Sequence, residues 1–142
     1  MLIREVMTEG AECTRPDATL QEAAARMKEL DVGSLPVCDN DRLQGMVTDR
    51  DIILRSVAEG HDPSQHRVRE AMTEEIFYAF EDQDVGDVTK IMKEKQVRRI
   101  PVLSRDKRLV GIVSLGDLAV QTDNGEAGEA LEKISEPANG RR

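Results

Sequence analysis

The sequence carries one pattern of residues twice, and this internal repeat constrains the fold more strongly than any other feature. A shift of 65 positions places residues 4–8 on residues 69–73. After one additional residue in the second repeat, residues 45–51 fall on residues 111–117. Two repeats are too few for a solenoid, so the pattern predicts a pair of similar units.

Each repeat predicts the order strand, helix, strand, strand, helix. Thr19 and Glu22 have the spacing of a capping box, and Asp84 suits the N-cap of the corresponding helix in the second repeat. The apolar runs SLPVC and LQGMVT, like RRIPVL and RLVGIVS, flank a polar turn, which is typical of a strand hairpin. AECT and IFYAF are the predicted first strands.

These elements predict a mixed α/β (α+β) fold of two β-α-β-β-α repeats. A helix between the first two strands makes them parallel, and the hairpin adds an antiparallel neighbour. Because a three-stranded sheet is too small to bury both faces, we expect the repeats to pack with pseudo-twofold symmetry and to form equivalent clefts where they meet. The predicted boundaries are residues 1–57 (first repeat), 58–68 (linker), 69–122 (second repeat) and 123–142 (flexible tail).

The composition excludes several classes of partner. With a net charge of −8, the chain lacks the excess of Lys and Arg on which nucleic-acid affinity depends. No apolar run reaches the roughly 20 residues that a membrane-spanning helix needs, and MLIREVMTEG lacks the apolar core of a signal peptide. The sequence therefore predicts a cytoplasmic protein that binds neither nucleic acid nor membrane.

Both repeats place a hydroxyl three positions before a carboxylate. The stretches are GMVTDRD, with Thr48 and Asp51, and GIVSLGD, with Ser114 and Asp117. This spacing is that of a capping box with an acidic third residue, and it also sets a hydroxyl beside a carboxylate for a ligand. The two roles are compatible, because a cap orients the same groups that an anion would use.

With the repeat and both motifs, the chain resembles a tandem pair of cystathionine-β-synthase-type (CBS) domains. Further features of the resemblance are the Val-Met-Thr and Ala-Met-Thr openings and the Leu-Pro-Val and Ile-Pro-Val strands. The resemblance extends from about residue 2 to residue 121, and the chain looks like a CBS pair that stands alone.

The resemblance implies binding of an adenosyl compound (AMP, ADP, ATP or S-adenosylmethionine) in the clefts between the repeats, with no cofactor required. In such families the motif carboxylate holds the ribose hydroxyls and the motif hydroxyl contacts phosphate. This assigns Asp51 and Asp117 to ribose, and Thr48 and Ser114 to phosphate. A carboxylate only accepts hydrogen bonds, so it can take both ribose hydroxyls but repels phosphate.

Neighbouring residues are expected to complete the sites. Positive charge for a phosphate would come from Arg98 and Arg99 or from Arg50. The first repeat has Gly33 and Ser34 where the second has Arg98 and Arg99, so the two sites are unequal. The apolar side chains expected near adenine are Met46 or Ile112, or those of Val32 and Val97.

Cys13 and Cys38 are the only cysteines, and parallel neighbouring strands could bring their sulfur atoms within bridging distance. Two interpretations stay open: reduced thiols of a cytosolic protein, or a redox-responsive disulfide. His61 and His66 lie in the polar linker, where we expect solvent-exposed side chains and no metal site.

The chain has none of the common enzyme motifs: a glycine-rich phosphate loop, a nucleophile elbow, HExxH or CxxC. We therefore expect a non-enzymatic regulatory module that binds an adenosyl ligand, associates as a homodimer and acts on an unidentified protein partner. The alternative is a structural or stress- and redox-response protein that binds no nucleotide and depends on Cys13 and Cys38.

Overall fold

The computed structural model of the protein describes residues 1–74 and 76–121. These residues form two compact units. One unit is Glu12–Ile76, and the other combines Met1–Ala11 with the chain from Phe77 onward. The mixed α/β fold of two similar repeats that the sequence predicts is confirmed.

The unit Glu12–Ile76 is built around one helix and one hairpin. Helix α1 (Leu20–Leu30) begins at the predicted Thr19 cap, whose side chain accepts a hydrogen bond from the backbone N–H of Glu22. Strands β2 (Ser34–Asp39) and β3 (Arg42–Thr48) pair in antiparallel register. Helix α2 (Asp49–Ile52) then continues as a π-helical turn (Ile53–Val57), and α3 (Val68–Ala71) ends the unit.

The other unit holds a four-stranded sheet. It contains a 3₁₀ turn (Ile3–Glu5) and strands β1 (Thr8–Glu9), β4 (Ala79–Phe80), β5 (Arg99–Leu103) and β6 (Leu109–Ser114), arranged in the order β1-β6-β5-β4. Its helices are α4 (Val85–Lys95), capped by Asp84 as predicted, and α5 (Leu115–Gln121). β4 and β5 are parallel, as a crossover through α4 requires.

Both hydrophobic cores are aliphatic, which follows from an aromatic content of only 2 %. One core packs α1 against the inner side of the β2–β3 hairpin, with Leu20, Leu35 and Val47 almost fully buried. The other packs α4 against β5 and β6 through Met92, Ile100 and Val113. Each hairpin therefore has one side turned to a core, and its other side carries Pro36 or Pro101, which are also buried.

The compact units do not coincide with the sequence repeats. The opening segment of the first repeat belongs to the unit of the second, where β1 pairs with β6 and gives the sheet a fourth strand that the sequence analysis did not predict. The opening segment of the second repeat belongs to the unit of the first. AECT is also not a full strand, because it makes a single parallel bridge between Thr14 and Val37.

The segment 58–68, predicted as a linker, packs within the unit Glu12–Ile76. The carbonyl of His66 accepts a hydrogen bond from the backbone N–H of Leu20, and the N–H of Val68 donates to the carbonyl of Ala18. These bonds fix the segment to the start of α1. The predicted flexible tail at 123–142 lies outside the described residues.

Candidate functional site

The outer side of the β2–β3 hairpin gathers most of the residues that the sequence predicts for a ligand. Side chains of directly opposed residues in an antiparallel pair project from the same face. Ser34 stands opposite Thr48, Pro36 stands opposite Met46, and Met46 is bridged in turn to Thr73. We call this set the first face: Ser34, Pro36, Met46, Thr48 and Thr73.

The other unit builds the corresponding surface on β5 and β6. Arg99 stands opposite Ser114, Pro101 stands opposite Ile112, and Ile112 pairs with Thr8 of β1. We call this set the second face: Arg99, Pro101, Ile112, Ser114 and Thr8. The two faces correspond position by position. Met46 and Thr48 are replaced by the similar Ile112 and Ser114, whereas Ser34 is replaced by the charged Arg99.

The glycine of each motif is explained by the approach of an opening segment. A β-carbon on Gly45 would lie 2.6 Å from the carbonyl oxygen of Thr73, and one on Gly111 would lie 2.6 Å from that of Thr8. Both distances are shorter than non-bonded atoms tolerate. Glycine at these positions lets the Met-Thr segment lie against the hairpin, and so brings Thr73 and Thr8 to the faces.

Both predicted capping boxes form. Thr48 Oγ1 accepts a hydrogen bond from the N–H of Asp51 at 3.0 Å, and Asp51 Oδ2 accepts one from the N–H of Thr48 at 3.0 Å. Ser114 and Asp117 make the same pair of bonds at 3.0 and 2.9 Å. Because all four side chains are only partly buried, the caps leave their remaining hydrogen-bonding capacity within reach of a ligand.

The two carboxylates differ in their surroundings. Asp51 is 15 % exposed, and its Oδ1 lies 3.9 Å from Nε of Arg55. Nη1 of Arg55 donates to the carbonyls of Ala71 and Met72 at 3.1 and 3.2 Å. The repeat places Gln121 at the position of Arg55, so Asp117 has no arginine at the matching site. In the described residues, Asp51 thus has a cationic neighbour in its own helix and Asp117 does not.

Of the predicted cationic residues, Arg99 lies on the second face and Arg98 precedes it, whereas Arg50 lies in the first unit. Arg98 and Arg99 are exposed, and the carbonyl of Arg98 accepts a hydrogen bond from the N–H of Leu115, the residue after Ser114. In the first unit the corresponding bond joins Gly33 to Asp49, which places a carboxylate where the second unit has leucine. Arg50 is exposed beside Asp49. The backbone neighbours of Ser114 therefore include two arginines, whereas those of Thr48 include one acidic and one basic residue, Asp49 and Arg50.

The structure divides the residues predicted to contact adenine into two groups. Met46 and Ile112 lie on the first and second faces, next to the motif hydroxyls along the same strands. Val32 and Val97 instead pack against the two hydrophobic cores. Of the four, only Met46, which is half-buried, and Ile112, which is 8 % exposed, lie beside the motif hydroxyls.

Cys13 and Cys38 are brought together as free thiols. The backbone N–H of Cys38 donates to the carbonyl of Thr14 at 2.9 Å, which fixes the AECT segment beside β2. A hydrogen bond between the two sulfur atoms lowers the pKa of Cys13 from 9.0 to about 7. The same bond, with burial, raises the pKa of Cys38, so Cys38 stays protonated and acts as the donor.

The expectation of two solvent-exposed histidines is wrong for one of them. His66 is buried, with its Nδ1 3.1 Å from Ser56 Oγ and its Nε2 3.3 Å from Glu70 Oε2. The ring of the exposed His61 lies 4.4 Å from that of His66. Within residues 1–74 and 76–121, His, Cys, Asp and Glu form no group of three or more suited to a metal ion.

Sequence reasoning missed three residues at the faces. Thr8 and Thr73 lie on the faces because the opening segment of each repeat packs in the unit of the other repeat. Arg55 lies beside Asp51, one helical turn away. The sequence signal for Thr8 and Thr73 is the Met-Thr pair at residues 7–8 and 72–73, which both repeats share and which indicates an equivalent role in each.

Comparison with known proteins identifies relatives over most of the chain. The family model of the CBS domain matches residues 3–58 and 68–121. The CBS domain-containing protein YhcV of Bacillus subtilis is 42 % identical over 134 residues, which is 94 % of this chain and 94 % of that protein. Hypoxic response protein 1 of Mycobacterium tuberculosis is 43 % identical over 117 residues, covering 82 % of this chain and 81 % of that protein.

A solved structure supports the same relationship. The crystal structure of Hypoxic Response Protein I, which holds two coordinated zinc ions, superposes with a TM-score of 0.79 at 40 % identity, covering 87 % of this chain and all of that one. Neither of these two relatives bears the name of an enzyme. An inosine-5'-monophosphate dehydrogenase of Methanocaldococcus jannaschii is 30 % identical over 119 residues, but the match spans only 22 % of that enzyme.

Among the residues that the structure describes, no helix is both long enough and apolar enough to cross a membrane.

Proposed function

The chain belongs to the CBS domain family, and on this basis we propose that it is a regulatory module that binds an adenosyl compound (AMP, ADP, ATP or S-adenosylmethionine). One observation carries the proposal. In each unit, a half-buried hydroxyl ends a strand, a half-buried carboxylate follows in the first turn of the next helix, and the outer side of the strand carries an apolar residue, Met46 or Ile112. These three groups suit the adenine, the phosphate and the ribose of a nucleotide, respectively, from the apolar residue to the carboxylate.

Each part of the ligand has a chemically suited group. The caps use Oδ2 of Asp51 and Asp117. Oδ1 of each carboxylate can therefore accept hydrogen bonds from the ribose hydroxyls. Thr48 or Ser114 can donate its hydroxyl hydrogen to a phosphate oxygen, since the cap uses only its lone pair. Adenine would stack on Met46 or Ile112, where a flexible thioether or a branched aliphatic chain offers apolar surface.

The second face is the stronger site for a phosphorylated ligand. Arg99 stands directly opposite Ser114, so its guanidinium can reach the same phosphate as the hydroxyl. At the first face Ser34 takes that position, and Asp49 adds a negative charge nearby. We expect AMP, ADP or ATP at the second face, and adenosine or S-adenosylmethionine as the better ligands for the first.

The module acts without catalysis, through a change in its association with other proteins. A ligand changes such an equilibrium only by binding one state more tightly than another. Ile53, Leu54 and Val57 are 55, 45 and 55 % exposed on one side of a helical stretch, and apolar surface of this kind marks an interface. We place a homodimer contact there, and the cytosol, where adenine nucleotides are abundant, is the proposed setting.

A thermal-shift panel of AMP, ADP, ATP, S-adenosylmethionine and adenosine tests the proposal. A ligand at about 100 times its Kd stabilises the folded protein by roughly 2.7 kcal/mol, which raises the melting temperature by several degrees. Asp51→Asn and Asp117→Asn are the sharpest variants, because asparagine keeps an oxygen for the cap but cannot accept from both ribose hydroxyls. We expect them to keep the melting temperature and lose the ligand shift, and no shift with any compound contradicts the proposal.

A second candidate function needs no nucleotide and depends on redox state. It is favoured by the hydrogen bond between the thiols of Cys13 and Cys38, which places the sulfur atoms next to each other in a folded unit. This candidate predicts that the melting temperature differs between oxidised and reduced protein and is unaffected by adenosyl compounds. A melting temperature that is independent of the redox state would contradict it.

Zinc should be added to the thermal-shift panel, since the crystal structure of Hypoxic Response Protein I holds two coordinated zinc ions. In this chain the ring of the exposed His61 lies 4.4 Å from that of His66. Both nitrogens of His66 already contact Ser56 and Glu70, so zinc at this pair would have to displace one of those contacts. Stabilisation by zinc that His61→Ala removes would assign the metal to this pair. Stabilisation that the variant retains would place the metal elsewhere.

A further inference from the structure

The fold does not require cysteine at positions 13 and 38. The repeat aligns Cys13 with Tyr78 and Cys38 with Leu103, and the parallel pairing of Thr14 with Val37 corresponds to that of Ala79 with Val102. Leu103 and Cys38 are equally buried, each 3 % exposed. Because the second repeat builds the same strand pair without cysteine, packing alone does not explain the thiols of the first repeat.

We propose that Cys13 and Cys38 form a peroxide-responsive pair in which Cys13 is the attacking thiol and Cys38 is the resolving thiol. This assignment rests on the second candidate function, and it names the order of the chemistry and the class of oxidant. The two residues lie on neighbouring parallel segments that are held in register by the bonds of Thr14 to Pro36 and Cys38.

The structure favours this order of reaction because the two thiols differ in access and in protonation. Cys13 is half-buried and open to a small oxidant, whereas Cys38 is shielded within β2. The thiol of Cys38 donates its hydrogen bond to the sulfur of Cys13, which stabilises a thiolate there. Burial and the charges of Asp41 and Glu12 oppose the thiolate, the charge of Arg15 favours it, and the hydrogen bond from Cys38 outweighs the opposing effects.

Hydrogen peroxide supplies the oxidising equivalents. The Cys13 thiolate attacks one peroxide oxygen, the O–O bond breaks, and the departing hydroxide takes up a proton as water, which leaves a sulfenic acid on Cys13. The sulfur of Cys38 then attacks the sulfenic sulfur, the S–O bond breaks, and the released hydroxide leaves as water with the proton of the Cys38 thiol. In total, two thiols and one peroxide give one disulfide and two water molecules, and a dithiol reductant reverses the change.

The bond would connect redox state to the first face. Cys38 lies at a register shift in β2, and the pairing of β2 with β3 continues to Ser34 and Thr48. A disulfide to Cys13 therefore fixes the turn end of the strand pair, whose other end carries Ser34 and Thr48. The second face has no such connection, because Tyr78 and Leu103 occupy the matching positions.

The test treats the reduced, full-length protein with hydrogen peroxide in the presence of dimedone and locates the products by mass spectrometry. The wild-type chain should form an intramolecular disulfide that dithiothreitol reverses. Cys38→Ser keeps an O–H donor but cannot resolve the intermediate, so it should accumulate the dimedone adduct on Cys13. Cys38→Leu, which copies the second repeat and suits the fold, removes the donor and should slow attack by about tenfold at pH 7.

The proposal is overturned if dimedone labels Cys38 in preference to Cys13, if the disulfide joins two chains, or if Cys38→Leu reacts as fast as the wild type. A disulfide that forms in the expected order without changing the melting temperature supports this assignment but refutes the redox function. The two failures are therefore distinguishable.

Discussion

The carbonyl oxygen of Thr73 lies 2.6 Å from the point where a β-carbon on Gly45 would stand. The backbones of Met46 and Thr73 exchange two hydrogen bonds at 3.0 and 2.8 Å beside this contact. Gly111 and Thr8 repeat the relationship in the other unit, again at 2.6 Å. The glycine before each capping box therefore admits a segment from the opposite repeat, which links the connectivity of the chain to the geometry of the faces.

Replacement of either glycine should destabilise the protein. Gly45→Ala or Gly111→Ala adds a β-carbon against a backbone carbonyl that cannot rotate away, so the opening segment must move off the hairpin. Overpacking of this kind costs about 1–3 kcal/mol, and chemical denaturation would measure it. Gly116→Ala is the control, because its β-carbon meets only Ser114 Oγ at 3.6 Å in α5. A gain of up to about 1 kcal/mol is expected for a helical glycine, and equal losses at all three sites would contradict the explanation.

Exchange of one pair of residues should transfer phosphate preference between the faces. Arg99→Ser gives the second face the residue of the first, and Ser34→Arg does the reverse. We expect Arg99→Ser to weaken AMP binding by about tenfold, in line with the 1.5–3 kcal/mol of a charge-assisted hydrogen bond after solvent screening. Adenosine has no phosphate, so its affinity should stay unchanged. Calorimetry at low and high salt measures both, and an equal loss for AMP and adenosine would contradict the role of the charge.

The reactivity of Cys13 should depend on pH around neutrality. Since its pKa is lowered from 9.0 to about 7, alkylation by iodoacetamide should reach half its maximal rate near pH 7. A lowered folded-state pKa contributes stability that is present above the unfolded value and lost as pH falls through the folded value. The melting temperature of the reduced wild type, relative to Cys13→Ser, should therefore rise between pH 7 and pH 9. A midpoint near 9 would contradict the thiolate assignment.

Oxidation should stabilise the protein further. Cys13 and Cys38 enclose 24 residues, and closing a loop of this length stabilises by about 3 kcal/mol in the chain-entropy model. Denaturant titration of the oxidised and reduced wild type measures the difference. Cys38→Ser is the control, since it cannot form the bond and should unfold at the same denaturant concentration in both conditions.

Local signals predicted the fold and the caps, and contacts distant in sequence were missed. Thr48 and Ser114 were identified because a capping box is set by residues three positions apart. The bridge of Met46 to Thr73 joins different repeats, so neither strand propensity nor the repeat itself placed it. His66 lies in a polar stretch, which hid its burial against Ser56, ten residues earlier.

Disruption of the apolar surface on the α2 and π-helical stretch should separate the proposed dimer. Leu54 is 45 % exposed and Val57 is 55 % exposed, one turn apart on the same side. Leu54→Asp would bury an unpaired charge in the contact between two molecules. We expect this to weaken the free energy of dimerisation by at least about 2 kcal/mol, which raises the dimer Kd roughly 30-fold. The fold should be little affected, because Leu54 belongs to neither hydrophobic core. Sedimentation velocity over a concentration series measures the association, with Gln44→Asp, exposed on β3, as a control that leaves it unchanged. A dimer that persists in Leu54→Asp would place the interface on another surface.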